Sequence, residues 1–458
     1  MSENRQVRWI VTTEAEPWVE SDIEIAQVTE APDVFVQLDK PQQVIEGFGA
    51  SFNELGWTSL AQLPDSSRAE IMRNFFEPGA GLNFNLCRMP VGANDFSLDW
   101  YSYDETDGDF ALEHFSVAND LETLIPFIKA AKQHQPNLKL WASPWSPPSW
   151  MKHNKHYAAA MPHPWMNQEP NGLREDQVGA EGTDMFILEE PYLDAYARYF
   201  GRFIDAYRDQ GIEIGMVMPQ NEFNSAQVFP SCTWTPQGLA KFLSHLGPQM
   251  RDRGVEIFLG TLERGDDSMF EAVYSDPAAG QYVDGLGAQW HGKFAIDAIH
   301  KAHPELRIYQ TEQECGDGLN DWRYARYAWG LMKKFFGAGA NAYNYWNMSL
   351  LSGGRSRWGW HQNSLVVVDA DAKTFKYSHE YYLLKHVSNV VAPGARYIPT
   401  VGWAGFENQM VFQNPDGSLI VVIQNDLNVP QTVKILLGDL LLKPTLPADS
   451  FSTFVIPA

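Results

Sequence analysis

The chain has 458 residues and an apolar fraction of 44%, enough for one large barrel and a smaller domain with a full core. A net charge of −23 leaves no broad basic face for phosphates, which argues against nucleic acid and works against an anionic membrane or a polyanionic substrate. No run of about 18 apolar residues offers a membrane span, and the first residues lack the basic and apolar regions of a secretion leader. The expectation is therefore a soluble cytoplasmic protein, secreted if a leader has been trimmed.

Short β-like runs at 7–12 and 34–38 open the chain. Strand-like runs then alternate with helical ones: 44–51, 85–90, 139–145, 212–222, 256–261, 284–291, 307–314 and 341–347 read as strands. Stretches at 121–133, 191–210, 236–254 and 321–336 carry apolar residues at a spacing near 3.6. Eight strand-helix alternations predict a (β/α)8 TIM barrel. From about residue 396 the pattern changes to short strands between Gly, Pro, Asn and Asp, as in 418–424, 432–437 and 451–456. The predicted architecture has N-terminal strands over 1–42, the catalytic barrel over 43–390 and a C-terminal part over 391–458. The two terminal parts form a small side β-sandwich. Residues 146–190 are too long for a plain connection and rich in Trp, Tyr, His and Pro, so they predict an ordered rim over the barrel mouth.

Two acidic segments carry the chemistry. MPQNE at 218–222 closes one apolar strand and YQTE at 309–312 closes another. Parallel barrels bring such strand ends to one mouth, where active sites sit. Two carboxylates facing each other across a mouth lined with aromatic rings are suited to glycosidic bond cleavage. The aromatic count, with Trp 16, Tyr 18 and Phe 26, suits flat contacts with sugar faces, although core filling accounts for many of these rings. A lone strand-end Glu is also at home in a rim salt bridge. Glu314 lies two residues past Glu312, and on a continuing strand it shares the same face.

A series of segments resembles glycoside hydrolase family 30, the glucosylceramidase-like retaining β-glycosidases. They are GFGASFNELGW at 47–57, CRMPVGANDFS at 87–97, LWASPWSPPSWMK at 140–152, PQNEFNSA at 219–226, YQTEQEC at 309–315 and NYWNMSL at 344–350. WGWHQNSLVVVD at 358–369 and HEYYLLKHVSNVVAPGA at 379–395 complete the series. The resemblance implies Glu222 as acid/base and Glu312 as nucleophile. It also implies sugar contacts at Asp95, Trp145, Asn221, Trp346 and Asn363, with Arg88 held near the nucleophile. Two places depart from the family pattern: Phe223 stands where Pro is common, and Gln289-Trp290-His291 replaces a His-Trp-Tyr-like run.

Double displacement needs Glu222 protonated and Glu312 ionised at the same pH. Asn221 is placed to donate to the sugar 2-OH, or to hold its strand end by an Asx-type bond. Asp95 is expected to accept from sugar hydroxyls, or to cap a loop. Trp145, Trp290 and Trp346 are candidate subsite walls, and His291 a candidate partner for a sugar or for Glu312; core packing is the alternative for each. Trp358, Trp360 and His361 follow the eighth strand and are candidates for shaping the donor or acceptor side. The histidines at 153, 156 and 163 and the three cysteines match no metal-ligand spacing, so no metal or cofactor is expected. The expected partner is a small neutral oligosaccharide or glycoside. A transglycosylase uses the same two acids, and a barrel that binds sugar without cleaving it is the reading from another class.

Overall fold

The structure, a computed structural model, describes residues 7–23, 25, 26, 28–403 and 406–458. The first six residues, on which part of the leader reading falls, lie outside the described residues. Eight strands pair in parallel into a closed barrel. They are β1 (Gly47–Ser51), β2 (Leu86–Pro90), β3 (Lys139–Ser143), β4 (Met216–Val217), β5 (Glu256–Leu262), β6 (Gly285–Ala288), β7 (Arg307–Gln310) and β8 (Ala342–Asn347). Closure comes from β8 against β1, with Ala342 opposite Gly47 and Tyr343 opposite Phe48. Each falls within or overlaps a run that the sequence marks as apolar. β4 is much shorter than its run and is trimmed at both ends; beyond it Met218 N still donates to Ala142 O and Thr261 N to Gln220 O, and Asn221 and Glu222 reach the mouth.

The surrounding helices follow from their apolar stripes. In Glu190–Asp209 the buried positions Leu193, Tyr196, Phe200, Phe203 and Tyr207 recur every three or four residues and face the strands. Pro236–Arg251 starts with Pro at its first position, and the Thr235 side chain accepts from Gly238 N. Asp321 caps Trp322–Gly337 in the same way, accepting from Arg323 N.

The two ends of the chain meet beside the barrel. A six-stranded antiparallel sheet runs Arg396–Ile398, Gln409–Gln413, Leu419–Asn425, Ser450–Ile456, Arg8–Thr13 and Val19–Ser21. A second sheet, which includes Val34–Val36, Ile435–Leu437 and Leu440–Leu442, packs on it. Trp9, Val421, Phe454, Val34, Ile435 and Leu442 share the core between them, and Trp9 stacks on Phe454 with centroids 5.5 Å apart.

Residues 146–190 are ordered but stand behind the mouth. Three short 3-10 turns, Ser149–Met151, Pro164–Met166 and Glu175–Gln177, punctuate the segment. None of its described residues lines the main cavity, which corrects the expectation of a rim over the mouth. The backbone N–H groups of Ala159 and Ala160 both donate to Gln227 O, Asn171 Nδ2 donates to Val228 O, and Glu169 N donates to Trp358 O. Lys152, fully buried, donates to Tyr157 O and Ser231 O at 3.0 and 2.6 Å, and burial pushes its pKa down to about 8. The segment thus buttresses the loops that carry the rim.

One side chain ties barrel to side domain. His386, on helix His379–Ser388, has its ring nitrogens 2.8 Å from Thr453 Oγ1 and 2.8 Å from Thr12 Oγ1. Burial lowers its pKa from 6.5 to about 3, so it stays neutral when folded. Below about 6.5 the unfolded chain takes up a proton that the folded chain refuses, and stability falls as the pH drops toward 3. The urea midpoint is expected to decline across that window, with a shallower slope in His386→Gln. An unchanged slope in the variant assigns the acid sensitivity to other groups.

Candidate active site

The mouth is organised by Arg88 at the middle of β2. Its side chain is fully buried, with Cζ 4.4 Å from the ring centroid of Trp145, 5.0 Å from that of Trp141 and 5.2 Å from that of Trp346. Nη1 donates to Glu312 Oε2 at 2.9 Å and to Thr311 O at 3.2 Å. Nη2 donates to Asn221 Oδ1 at 2.7 Å and to Ser143 Oγ at 3.0 Å. One guanidinium therefore holds the ends of β3, β4 and β7.

Gln289, just past β6, joins the two acids. Its Oε1 accepts from Arg88 Nη1 and Thr311 Oγ1, which directs the amide nitrogen at the carboxylates. Nε2 lies 3.1 Å from Glu222 Oε1 and 3.3 Å from Glu312 Oε2, so these two oxygens are at most 6.4 Å apart. The other Glu312 oxygen accepts from Trp290 Nε1 at 3.3 Å. Glu222 and Trp290 both have left-handed backbone, with φ of 45° and 47°. The Glu222 N–H donates to Thr261 Oγ1 at 2.8 Å, which fixes the turn.

Both carboxylates line a cavity of about 250 Å³. Asp95, Trp145, Asn221, Glu222, Trp290 and Glu312 form its floor and walls, and Phe229, Trp360 and His291 its rim. Burial, then the neighbouring Glu312 and Glu263, lift the Glu222 carboxyl well above the usual range. Burial also raises Glu312, but Arg88, Trp290 and Gln289 all pull it back down. The proton of the pair therefore resides on Glu222. Asp95 is raised well above its ordinary value, by burial and then by Glu312, and its Oδ1 has no partner among the described residues. Asn221 Oδ1 accepts from Arg88, Thr261 and Gln289, leaving its amide nitrogen to donate into the cavity.

Several expected residues sit elsewhere. Asn363 is fully buried away from the cavity: Oδ1 accepts from Gly318 N and Asn320 N, and Nδ2 donates to Glu380. Its neighbour Gln362 lines the cavity instead. Trp346 stacks behind Trp145, centroids 5.4 Å apart, and so supports the wall without forming it. His291 is exposed at the rim, against Phe294, and makes no bond to Glu312. Glu314 turns away to pair with Lys293 and to accept from Tyr327 Oη, because β7 ends at Gln310 and face alternation lapses beyond it. Trp360 reaches the rim, whereas Trp358 is buried and donates to Tyr157 Oη, and the His361 ring bonds to Gly353 O. Gln289, Thr261, Glu263, Phe229 and Gln362 are among the site residues that sequence reasoning missed. The signal for Gln289 was the departure itself, a hydrogen-bonding amide at a strand end beside two expected acids.

A sequence model of the glycosyl hydrolase family 30 TIM-barrel domain matches residues 45–391, with both glutamates inside the match. The chain belongs to glycosyl hydrolase family 30. Members of this family hydrolyse O-glycosyl bonds. The chain is 26% identical to the lysosomal acid glucosylceramidase of Mus musculus, over 87% of this chain and 78% of that one. It is 27% identical to endo-1,6-beta-D-glucanase neg1 of Aspergillus fumigatus, over 91% and 86% of the two chains. Its fold matches the crystal structure of SrfJ from Salmonella typhimurium with a TM-score of 0.86 at 24% identity, covering 99% of each chain.

The network makes Gln289 a sensitive point. Its hydrogen bond pulls the Glu222 pKa down, so removing it raises that pKa further. In Gln289→Ala, kcat is expected to fall about 10- to 100-fold and the basic limb of the pH–rate profile to move to higher pH. A limb that stays in place separates Gln289 from the titration of Glu222.

Proposed function

We propose that this enzyme is a retaining β-glycosidase with Glu312 as nucleophile and Glu222 as acid/base, acting on a β-linked glucosyl residue. One observation carries the reading: a single amide nitrogen touches both carboxylates, which bounds their nearest oxygens at 6.4 Å. Retaining enzymes hold their carboxyls about 5–5.5 Å apart, and inverting ones about 6.5–9.5 Å, with room for a water.

The steps follow from the charges. Glu312, paired with Arg88, attacks the anomeric carbon from one face of the sugar. Glu222 delivers its proton to the glycosidic oxygen, and the leaving group departs with its hydroxyl restored. With the glycosyl group covalently on Glu312, the deprotonated Glu222 takes a proton from water, which displaces Glu312 and regenerates both starting states. Asp95 Oδ1 supplies an acceptor and Asn221 Nδ2 a donor for the sugar hydroxyls, and Trp145 a flat apolar wall.

Two arguments support a single glucosyl residue. A cavity of about 250 Å³ is smaller than the range of about 300–1,000 Å³ typical of drug-sized ligands, which suits one sugar ring and removal of a terminal unit. The mouse and Aspergillus relatives carry names that share a glucosyl group, in a glucosylceramide and in a 1,6-β-D-glucan.

Glu312→Gln is expected to lower turnover of an aryl β-glucoside by at least about a thousandfold. Proton NMR of the parent reaction should show the β-anomer of the sugar first. Glu222→Ala should regain rate with added azide and yield the β-glucosyl azide. An α-anomer as first product, or full activity in Glu312→Gln, refutes the assignment.

A further inference from the structure

A fourth acid in the cavity has no part in double displacement. Glu263 follows β5, next to the strand whose end carries Glu222. It lines the cavity and is 2% exposed. Its Oε1 is engaged, accepting from Asn224 N and Ser225 Oγ at 3.1 Å each. Its Oε2 is buried and has no hydrogen-bond partner among the described residues. The nearest cation, Arg264, keeps Nε 3.9 Å from Oε1 and spends Nη2 on Glu181 and Asn224 O. A buried acceptor left without a donor costs about 1–3 kcal/mol, more when charged, so a site that keeps one gains when a ligand satisfies it.

Where Oε2 stands decides which part of the substrate reaches it. Asp95, the other cavity acid with an unpartnered oxygen, follows β2, three strands away around the ring. Trp145 and Asn221, which follow β3 and β4, lie on the Asp95 side. Glu263 follows β5, on the other side of β4 from Trp145, and is bonded to Ser225; Phe229 and Trp360 line the same cavity. Glu222 gives its proton to the leaving oxygen, so the groups beyond it face the leaving group. Burial brings Glu263 up to about 7, so near neutrality it is part carboxylate and accepts readily from a hydroxyl.

We propose that Glu263 Oε2 accepts a hydrogen bond from a hydroxyl of the leaving group, so that the enzyme favours glucosyl bonds to a second sugar over glucosyl bonds to a lipid. Phe229 and Trp360, with ring centroids 6.2 Å apart, would give that second ring an apolar face. The inference rests on the retaining β-glucosidase reading above.

The test compares kcat/KM for β-1,2-, β-1,3-, β-1,4- and β-1,6-linked glucobioses with that for octyl β-glucoside. The parent enzyme is expected to prefer at least one glucobiose. Glu263→Gln keeps an oxygen for Asn224 N and Ser225 Oγ and replaces only the unpartnered acceptor by a donor. It is expected to lower the ratio of best glucobiose to octyl glucoside by about 10- to 100-fold. A parent that prefers octyl glucoside, or a variant ratio within about threefold of the parent, overturns the proposal. Failure of the underlying reading looks different: the parent then releases no nitrophenol from nitrophenyl β-glucoside at all.

Discussion

Everything at the mouth depends on a buried charge. Arg88 and Glu312 form an ion pair whose side chains are 0% and 7% exposed, across a ring of aromatic side chains. Taking both ions out of water costs several kcal/mol each, and their attraction does not reliably return it, so the pair is poor value as a source of stability. Its worth lies in geometry. The guanidinium also bonds to Ser143, Asn221, Gln289 and Thr311 O, so the ends of four other barrel strands are registered against one planar group on β2. The three Trp rings around it exclude water and present their π faces to the cation. Burial still draws the Arg88 pKa down to about 10, which leaves it fully charged wherever the enzyme would work.

The same arrangement sets the two acids apart in charge. Two carboxyls this close in a dry site do not both ionise readily. Arg88 and the Trp290 N–H favour the charge on Glu312, and the proton goes to Glu222. Left-handed backbone at Glu222 and Trp290 costs on the order of 1–3 kcal/mol each. Bonds such as Thr261 Oγ1 to the Glu222 N–H hold the first of these in place. The buttress over 146–190 plays the corresponding part for the rim, fastening Gln227 and Val228 through backbone and amide hydrogen bonds.

Much of this was legible in the sequence, because apolar runs ending in an acid are local patterns. All eight barrel strands overlap apolar runs, two of those runs close on Glu222 and Glu312, and the family motifs add Arg88, Asp95 and Trp145. What a local pattern does not carry is where a chain turns after its strand ends. Glu314 was a rival to Glu312 only on the assumption that β7 runs on; the strand stops at Gln310 and Glu314 swings to Lys293. Asn363 and Gln362 are neighbours in sequence, yet one serves the loop and the other the cavity, a choice made by the backbone N–H groups of Gly318 and Asn320. Residues 146–190 read as a rim from their aromatic content, but Trp150 packs on Phe110 and Tyr157 on Trp100 and Trp358, while Trp165 stands in solvent. Gln289 and Glu263 matter through contacts with residues on other strands, which no single segment reveals.

The sheet order beside the barrel has a bearing on biosynthesis. Arg8–Thr13 is flanked by Val19–Ser21 on one edge and by Ser450–Ile456 on the other. During translation the first of these strands emerges with only its short hairpin neighbour to pair with, and its other edge stays open until Ser450–Ile456 has left the ribosome. At about 5–20 residues per second that interval approaches half a minute or more. An open strand edge invites pairing with other nascent chains, so the ribosome-bound stage is when this fold most needs a chaperone.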